Sequence, residues 1–332
     1  VFNPEHDLCM AALKPNYTPP ASARQFAEEC CDLMQYLGDE GDICVPASRV
    51  GEAVLSHPEF EDVVPWGWDF PLLRDIEKQL DITSASIAPL YLRAIATFGF
   101  SQRMATSMFF DLLTKDIDPS WLSAKPLMTH SVDELQRAIV EHGKVVLKDP
   151  ISGSGRGIRL VQEVLKDREL KWAEKVMEKK KYVMVEPYYD LVMNVAALYD
   201  VSRQGAPLRG FSLFDTKGFV YTRNYLLSDD LIREGIEQYI PSSVLDQVIQ
   251  NHQEDLIAAA HNHYEGPVGV DMFIFRREDG SYGINPCCEF NYRYTMGFVA
   301  HEILRKHPEH HGKRFQINTP TPDNLHYSYS IA

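Results

Sequence analysis

Residues 145–161 read VVLKDPISGSGRGIRLV. An apolar run ends in Lys148. Gly153, Gly155 and Gly157 then alternate with Ser154 and Arg156, and a second apolar run follows. The pattern is two strands joined by a glycine-rich loop. Alternating glycines let a backbone approach a charged ligand closely, and their N–H groups cradle phosphate oxygens. Lys148 adds a point charge for the same phosphates. No Gly-Lys-Ser/Thr follows, so this is not a Walker A loop. A strand, not a helix, comes after it, so it is not a dinucleotide fingerprint either. Taken alone, the stretch reads equally well as a flexible surface hairpin.

The second informative stretch lies downstream, as VGVDMFIF (268–275) and INPCCEFNYRYTMG (284–297). Asp271 sits inside an apolar strand, where a lone carboxylate is costly unless it is paired or binds a metal. Glu289 and Asn291 are two apart on the partner strand and share one face. Two carboxylates and an amide oxygen on adjacent strands are the hard ligands that Mg²⁺ prefers, with nucleotide phosphates completing the shell. Arg293 falls two further along, where it could hold a phosphoryl group or an acyl phosphate. The competing reading is a buried ion pair between Asp271 and Arg293.

Around these stretches the chain alternates helical and strand patterns, which predicts an α/β fold. Residues 1–100 read as a small N-terminal α/β domain, with an opening strand, a helix over 21–36, a second strand at GDICVP (41–46) and a helix after Trp68. Residues 101–189 read as a helical connector and a lid that carries the glycine-rich hairpin. In the lid, Ser131 and Glu134 form a capping box, and Lys179–Lys181 read as a solvated helix end. Residues 190–332 read as a C-terminal catalytic domain that ends in a loose tail at NTPTPDN (318–324).

Hydrophobic residues make up 45% of the 332, enough for a sizeable core. A formal charge of −14 argues against nucleic acid as a partner. The six cysteines, in part as adjacent pairs, show no CxxC spacing and suit neither a disulfide framework nor a zinc site. Reduced thiols in a cytoplasmic protein are the simpler expectation. No apolar run is long enough to span a membrane, and no signal-peptide pattern opens the chain.

The order of features is more specific than any one of them. A lysine strand and glycine-rich hairpin come first, then VMVEPYY (183–189) with Glu186, then the Asp271 strand, then E-x-N-x-R. Over roughly residues 101–300 this order resembles the ATP-grasp superfamily, of the carboxylate–amine ligase type. With its opening FNPEHD the whole chain also resembles an ATP-grasp group from gut bacteria of the Bacteroides type. The resemblance implies ATP and Mg²⁺ as cofactors, with Asp271, Glu289 and Asn291 as metal ligands. It implies that Lys148 contacts phosphates and the adenine edge, and that Gly153, Ser154, Gly155, Arg156 and Gly157 close over the phosphates. Glu186 and the backbone near Tyr188 would bind adenine. Arg103 stands where the family often has a first lysine. The ribose-binding acid is displaced onto Asp190 or Asn194. The arginine often found before the metal-binding aspartate is absent.

Asn3, Glu5, His6 and Asp7 cluster where a first strand meets a loop, the ligand-binding end of open α/β sheets. The resemblance makes them acceptor-binding candidates, against the alternative of a solvated turn. Lys217 and Arg223, in DTKGFVYTRNYL (215–226), are candidate catalytic cations beside Arg293, and Asn224 is a further cleft candidate. The expected activity is ATP-dependent ligation, in which a small-molecule carboxylate becomes an acyl phosphate and meets an amine or other nucleophile. A small-molecule kinase and a non-catalytic nucleotide-binding module are the alternatives. A homodimer is a further expectation.

Overall fold

The computed structural model describes residues 1–332 apart from Leu13, Pro15, Phe60, Glu61, Ser154, Gly155, Arg156 and Asn262, and apart from the side chain of Ala260. The N-terminal hundred residues are built from helices α1 (His6–Ala12), α2 (Ala21–Glu29), α3 (Val50–Ser56), α4 (Phe70–Leu80) and α5 (Ala88–Phe100). The two strands expected here reduce to one parallel bridge, Phe2 to Pro46. Phe2 is fully buried and meets Phe26 and Trp66 edge-on at 5.5 and 5.3 Å, so side-chain packing anchors the segment where a ladder was expected. The helix expected over 21–36 stops at Glu29, and a 3₁₀ turn, Cys31–Tyr36, continues it. Asp69 caps α4, its Oδ1 accepting from Leu72 N at 2.9 Å.

Short helices α6 (Met104–Met108) and α7 (Phe110–Leu113) lead into an antiparallel sheet of order β1-β4-β2-β3. Its strands are β1 (Leu127–Thr129), β2 (Lys144–Lys148), β3 (Ile158–Gln162) and β4 (Val183–Pro187), backed by α8 (Val132–His142) and α9 (Asp167–Lys180). Leu135, Ile139, Val145, Leu147, Val183 and Val185 form its core. Ser131 caps α8 as expected, accepting from Glu134 N at 3.2 Å. The Glu134 carboxylate reaches past the cap residue and accepts from His130 N at 2.7 Å. The end of α9 is not wholly solvated: Lys180 turns inward, its Nζ 2.7 Å from Asp149 Oδ1 and 2.9 Å from Ile151 O.

The larger sheet, also antiparallel, runs β11-β10-β7-β6-β5-β8-β9. It comprises β5 (Asp190–Val201), β6 (Leu208–Lys217), β7 (Val220–Tyr225), β8 (Gly266–Arg276), β9 (Tyr282–Asn291), β10 (Arg314–Asn318) and β11 (Ser328–Ile331). Helices α10 (Asp229–Glu237), α11 (Ser242–His261) and α12 (Met296–Lys306) cover it. Side chains alternate along β5. Val195, Ala197 and Tyr199 pack with Leu245, Val248 and Leu256 of α11, while Ala196 and Leu198 join Phe298 of α12 on the opposite face. The expected loose tail is instead the β10–β11 hairpin, which extends the sheet edge, with Pro320 and Pro322 confined to its loop. No helix among the described residues is long and apolar enough to cross a membrane.

Candidate functional site

The face of the large sheet that carries Ala196 floors a cavity of about 720 Å³, roofed by the four-stranded sheet and walled by the N-terminal segment. The register aligns its side chains in rows. One row runs Glu289, Asp271, Ala196, Ser212 across β9, β8, β5 and β6; the next runs Phe273, Asn194, Phe214, Asn224. Asp271 faces Glu289 because β9 bulges: Phe273 pairs with Asn285, so two steps along β8 match four along β9. The bulge holds Pro286, which cannot donate to a ladder. It is braced by His252, whose Nε2 donates to Pro286 O at 2.7 Å, and by Asn285 Oδ1, which accepts from Cys287 N at 3.1 Å.

Burial pushes the Asp271 carboxyl up to about 7, and the Glu289 charge adds to the shift. Arg293 and a hydrogen bond from Asn291 oppose it. Two facing carboxylates with incomplete neutralisation suit a hard divalent cation. Among the described residues no three His, Cys, Asp or Glu side chains group as a metal site, so Asp271, Glu289 and the Asn291 amide fit such an ion only with ligands supplied from outside the protein. The donors are not idle: Glu289 Oε1 accepts from Arg103 at 2.8 Å, and Asn291 Oδ1 accepts from Arg293 at 2.8 Å.

Opposite the carboxylates, Lys148 Nζ lies 2.6 Å from Glu186 Oε1, and both side chains are buried. Arg103 links roof to floor. Besides Glu289, its guanidinium donates to Asp149 O at 2.6 Å and to Ser152 Oγ at 2.9 Å. The described ends of the glycine-rich loop are packed down, contrary to the reading of a loose surface hairpin. A Cβ on Gly153 would lie 2.8 Å from Asp7 Cβ, and one on Gly157 would lie 2.5 Å from Ser152 Cβ. Ser154, Gly155 and Arg156, expected to cover phosphates, lie outside the described residues.

The N-terminal loop divides. Glu5 and Asp7 line the cavity, whereas Asn3 and His6 do not. Asn3 Nδ2 donates to Gly67 O at 2.7 Å and to Asp69 Oδ2 at 3.0 Å. His6 Nδ1 lies 3.3 Å from the same Asp69 carboxylate, and both residues are almost fully buried. They join the first loop to the cap of α4. Asp7 grips Arg293 through two hydrogen bonds of 2.7 and 2.6 Å. Burial would raise the Asp7 carboxyl, but the guanidinium outweighs it and holds the group below its ordinary value. Arg293 therefore pairs with Asp7, not with Asp271.

Lys217, Arg223 and Asp190 stand off the cavity wall. Lys217 is exposed at the end of β6. Arg223 points to the other face and pairs with Asp215 at 3.1 Å. Asp190 pairs with Arg276 at 2.7 Å on the surface, which leaves Asn194 as the ribose candidate inside. Tyr188 lines the cavity, but its N–H is used by Lys144 O at 2.9 Å and its ring carries Lys144 Nζ 3.6 Å from the centroid. Sequence reasoning missed Asp149, Lys180 and Ser212. The proline inside a core strand was a legible sign of the bulge; Lys180 had no local sign.

No family model and no curated protein matches the chain. Solved structures similar to it include N5-carboxyaminoimidazole synthetase from Staphylococcus aureus complexed with ADP, at 12% identity and a TM-score of 0.45 over 72% of this chain and 63% of that one. D-alanyl-alanine synthetase A from Vibrio cholerae is similar at 14% identity and a TM-score of 0.43, over 66% and 62% of the two chains. The biotin carboxylase domain of 2-oxoglutarate carboxylase from Hydrogenobacter thermophilus, complexed with MgADP, ADP and bicarbonate, is similar at 13% identity and a TM-score of 0.44, over 92% and 65%. The chain spans less than two thirds of the length of each of these three proteins.

Proposed function

We propose that the protein is an ATP-dependent, ADP-forming ligase of the ATP-grasp type that activates a small-molecule carboxylate for attack by an amine or other nucleophile. One observation carries this reading: Asp271 and Glu289 face each other across β8 and β9, beside Asn291, in the same cavity as Lys148 and the glycine-rich loop. Residues 101–189 act as a helical connector and lid, and residues 190–332 as the catalytic domain. Asp271, Glu289 and Asn291 would hold Mg²⁺, which would supply charge neutralisation for the nucleotide phosphates. Lys148, steadied by Glu186, meets the phosphates from the roof. The substrate carboxylate oxygen bonds to the γ-phosphorus as the bond to the bridging oxygen breaks, releasing ADP. The nucleophile then bonds to the acyl carbon as the carbon–oxygen bond to phosphate breaks. The roof excludes water that would hydrolyse the acyl phosphate. All six cysteines are free, which supports a reducing, cytoplasmic setting.

The test is thermal melting with Mg²⁺ and ATP, then a screen of carboxylate and amine pairs for ADP release. A native-state ligand at a hundredfold excess over its dissociation constant stabilises by about 2.7 kcal/mol. A melting shift with NAD but none with ATP would sink the proposal.

A further inference from the structure

The meeting of the two carboxylates depends on one irregularity. Pairing between β8 and β9 runs from Arg276–Tyr282 to Phe273–Asn285 and resumes at Asp271–Glu289. In an unbroken antiparallel ladder each step along one strand is a step along the other, and Asp271 would face Cys287. The two extra residues change what each side chain meets. Cys287 joins the core, while Cys288 and Glu289 both line the cavity. Bulges beside active sites re-aim side chains in this way. They need support, because a buried carbonyl taken out of its ladder must find another donor.

The support comes from the opposite face of the sheet. His252 of α11 donates from Nε2 to Pro286 O at 2.7 Å, and its Nδ1 lies 2.9 Å from the Tyr199 hydroxyl of β5. Both side chains are fully buried, and neither lines the cavity. A carbonyl can only accept, so Nε2 carries the ring proton and Nδ1 accepts from the phenol. Burial pulls the His252 ring down to about 4 against its hydrogen bond to Pro286, and pushes the Tyr199 hydroxyl up. At neutral pH the ring therefore stays neutral and the phenol stays protonated, and the chain keeps one direction, from Tyr199 through His252 to Pro286.

We propose that His252 and Tyr199 are positioning residues for the carboxylate pair: the hydrogen-bonded chain that ends on Pro286 O holds the bulge that sets Glu289 opposite Asp271. The inference rests on the function proposed above only in calling that pair a cation site; the hold on the bulge does not depend on it.

Three variants of the full chain test it. His252→Phe keeps a ring and removes the donor, His252→Gln restores a donor near Nε2, and Tyr199→Phe removes only the hydroxyl. The first readout is hydrogen exchange without nucleotide. At Cys287, Cys288 and Glu289 it should quicken at least about tenfold in His252→Phe, relative to Val195 of β5, and about threefold in Tyr199→Phe. The second readout is the factor by which Mg²⁺ tightens ATP binding, measured by calorimetry. His252→Phe should remove most of that factor while ATP affinity without Mg²⁺ stays within about threefold, and His252→Gln should restore it. A residue that only stabilises the fold would lower the melting temperature and leave the factor alone. Unchanged exchange in His252→Phe overturns the proposal, as does a Mg²⁺ factor that survives in it, or an equal loss in both His252 variants. If His252→Phe does not fold, Tyr199→Phe decides, and unchanged exchange there overturns the proposal. Should Mg²⁺ fail to tighten ATP binding in the unmutated protein, the cation reading falls, and exchange alone decides the positioning role.

Discussion

Two carboxylates on the same layers of the protein meet opposite fates. Glu302, on α12, is fully buried and surrounded by cations: Arg209 at 2.9 Å, Arg305 at 2.6 Å and His301 at 3.3 Å. Against the cost of burial, the hydrogen bonds from His301 and Arg305 and the charge of Arg209 hold its carboxyl down at about 2. Asp271, on β8, is pushed up to about 7 by burial and by Glu289 opposite it. The nearest cations are engaged elsewhere, Arg103 with Glu289 and the loop, and Arg293 with Asp7. The first group is complete without a ligand. The second has an unmet charge, in a cavity, beside a second carboxylate. That contrast separates an ion network that holds helix to sheet from one that, in the function proposed above, would take a cation.

The largest effect should come from emptying the complete network. Glu302→Leu leaves three cations without their buried partner and should cost about 3–5 kcal/mol of stability, read by denaturant unfolding. Activity per folded molecule should not change. Asp271→Asn should do the opposite, lowering ADP release at least about a hundredfold, or roughly 2.7 kcal/mol, with the fold intact. If Asp271→Asn keeps near-native turnover, the contrast between the two carboxylates has no functional meaning.

The pH dependence should also split. Asp271 is raised in the fold, so its contribution to stability is full below its unfolded value of 3.8 and is lost as pH rises through about 7. Glu302 is lowered, so its contribution is present above 4.5 and is lost as pH falls through about 2. His301 is raised to about 9: burial opposes the shift, and hydrogen bonds to Asp229 and Glu302 outweigh it. Its contribution is full below 6.5 and fades as pH rises through about 9. Unfolding across pH should therefore show Asp271→Asn gaining on the parent protein between about pH 4 and 7. A constant difference over that range would remove the basis for treating Asp271 as an unneutralised group.

Arg103→Lys should have a smaller effect. A lysine keeps the charge but cannot reach Asp149 O, Ser152 and Glu289 together. Hydrogen exchange at Ile151 and Ser152 should quicken, and affinity for Mg²⁺ and ATP should change about tenfold, or roughly 1.4 kcal/mol. The smallest effect belongs to Asp190→Asn. Its exposed pair with Arg276 should be worth less than about 1 kcal/mol, and nucleotide affinity should not move. A tenfold loss of nucleotide affinity would instead make Asp190 the ribose ligand.

What could be read from the residues was local. The hairpin β8–β9 has a short turn and alternating side chains, so a shared face for Glu289 and Asn291 followed from strand geometry, and Asp271 stood out as a charge in an apolar run. The glycine-rich connection was legible because glycine changes what a backbone can do within a few residues. What stayed hidden depends on partners far along the chain. Asp7 and Arg293 are 286 residues apart, and nothing near either one specifies the other. Asn3 and His6 looked like ligand-binding groups because their burial against Asp69 is a tertiary fact. Lys180 sits in a run of lysines that reads as solvent-facing, and only the packing of α9 turns one of them toward Asp149. The proline-rich tail pointed to a loop, and the strands on either side of it found each other.

The central claim is that the Asp271–Glu289 pair binds ATP through a divalent cation. Calorimetric titration of ATP into the unmutated protein and into Asp271→Asn, each with and without Mg²⁺, tests it most directly. The account predicts that Mg²⁺ tightens ATP binding at least about tenfold, or 1.4 kcal/mol, in the unmutated protein, and that Asp271→Asn removes most of that gain. ATP affinity that is indifferent to Mg²⁺, or a gain that survives intact in Asp271→Asn, would contradict it.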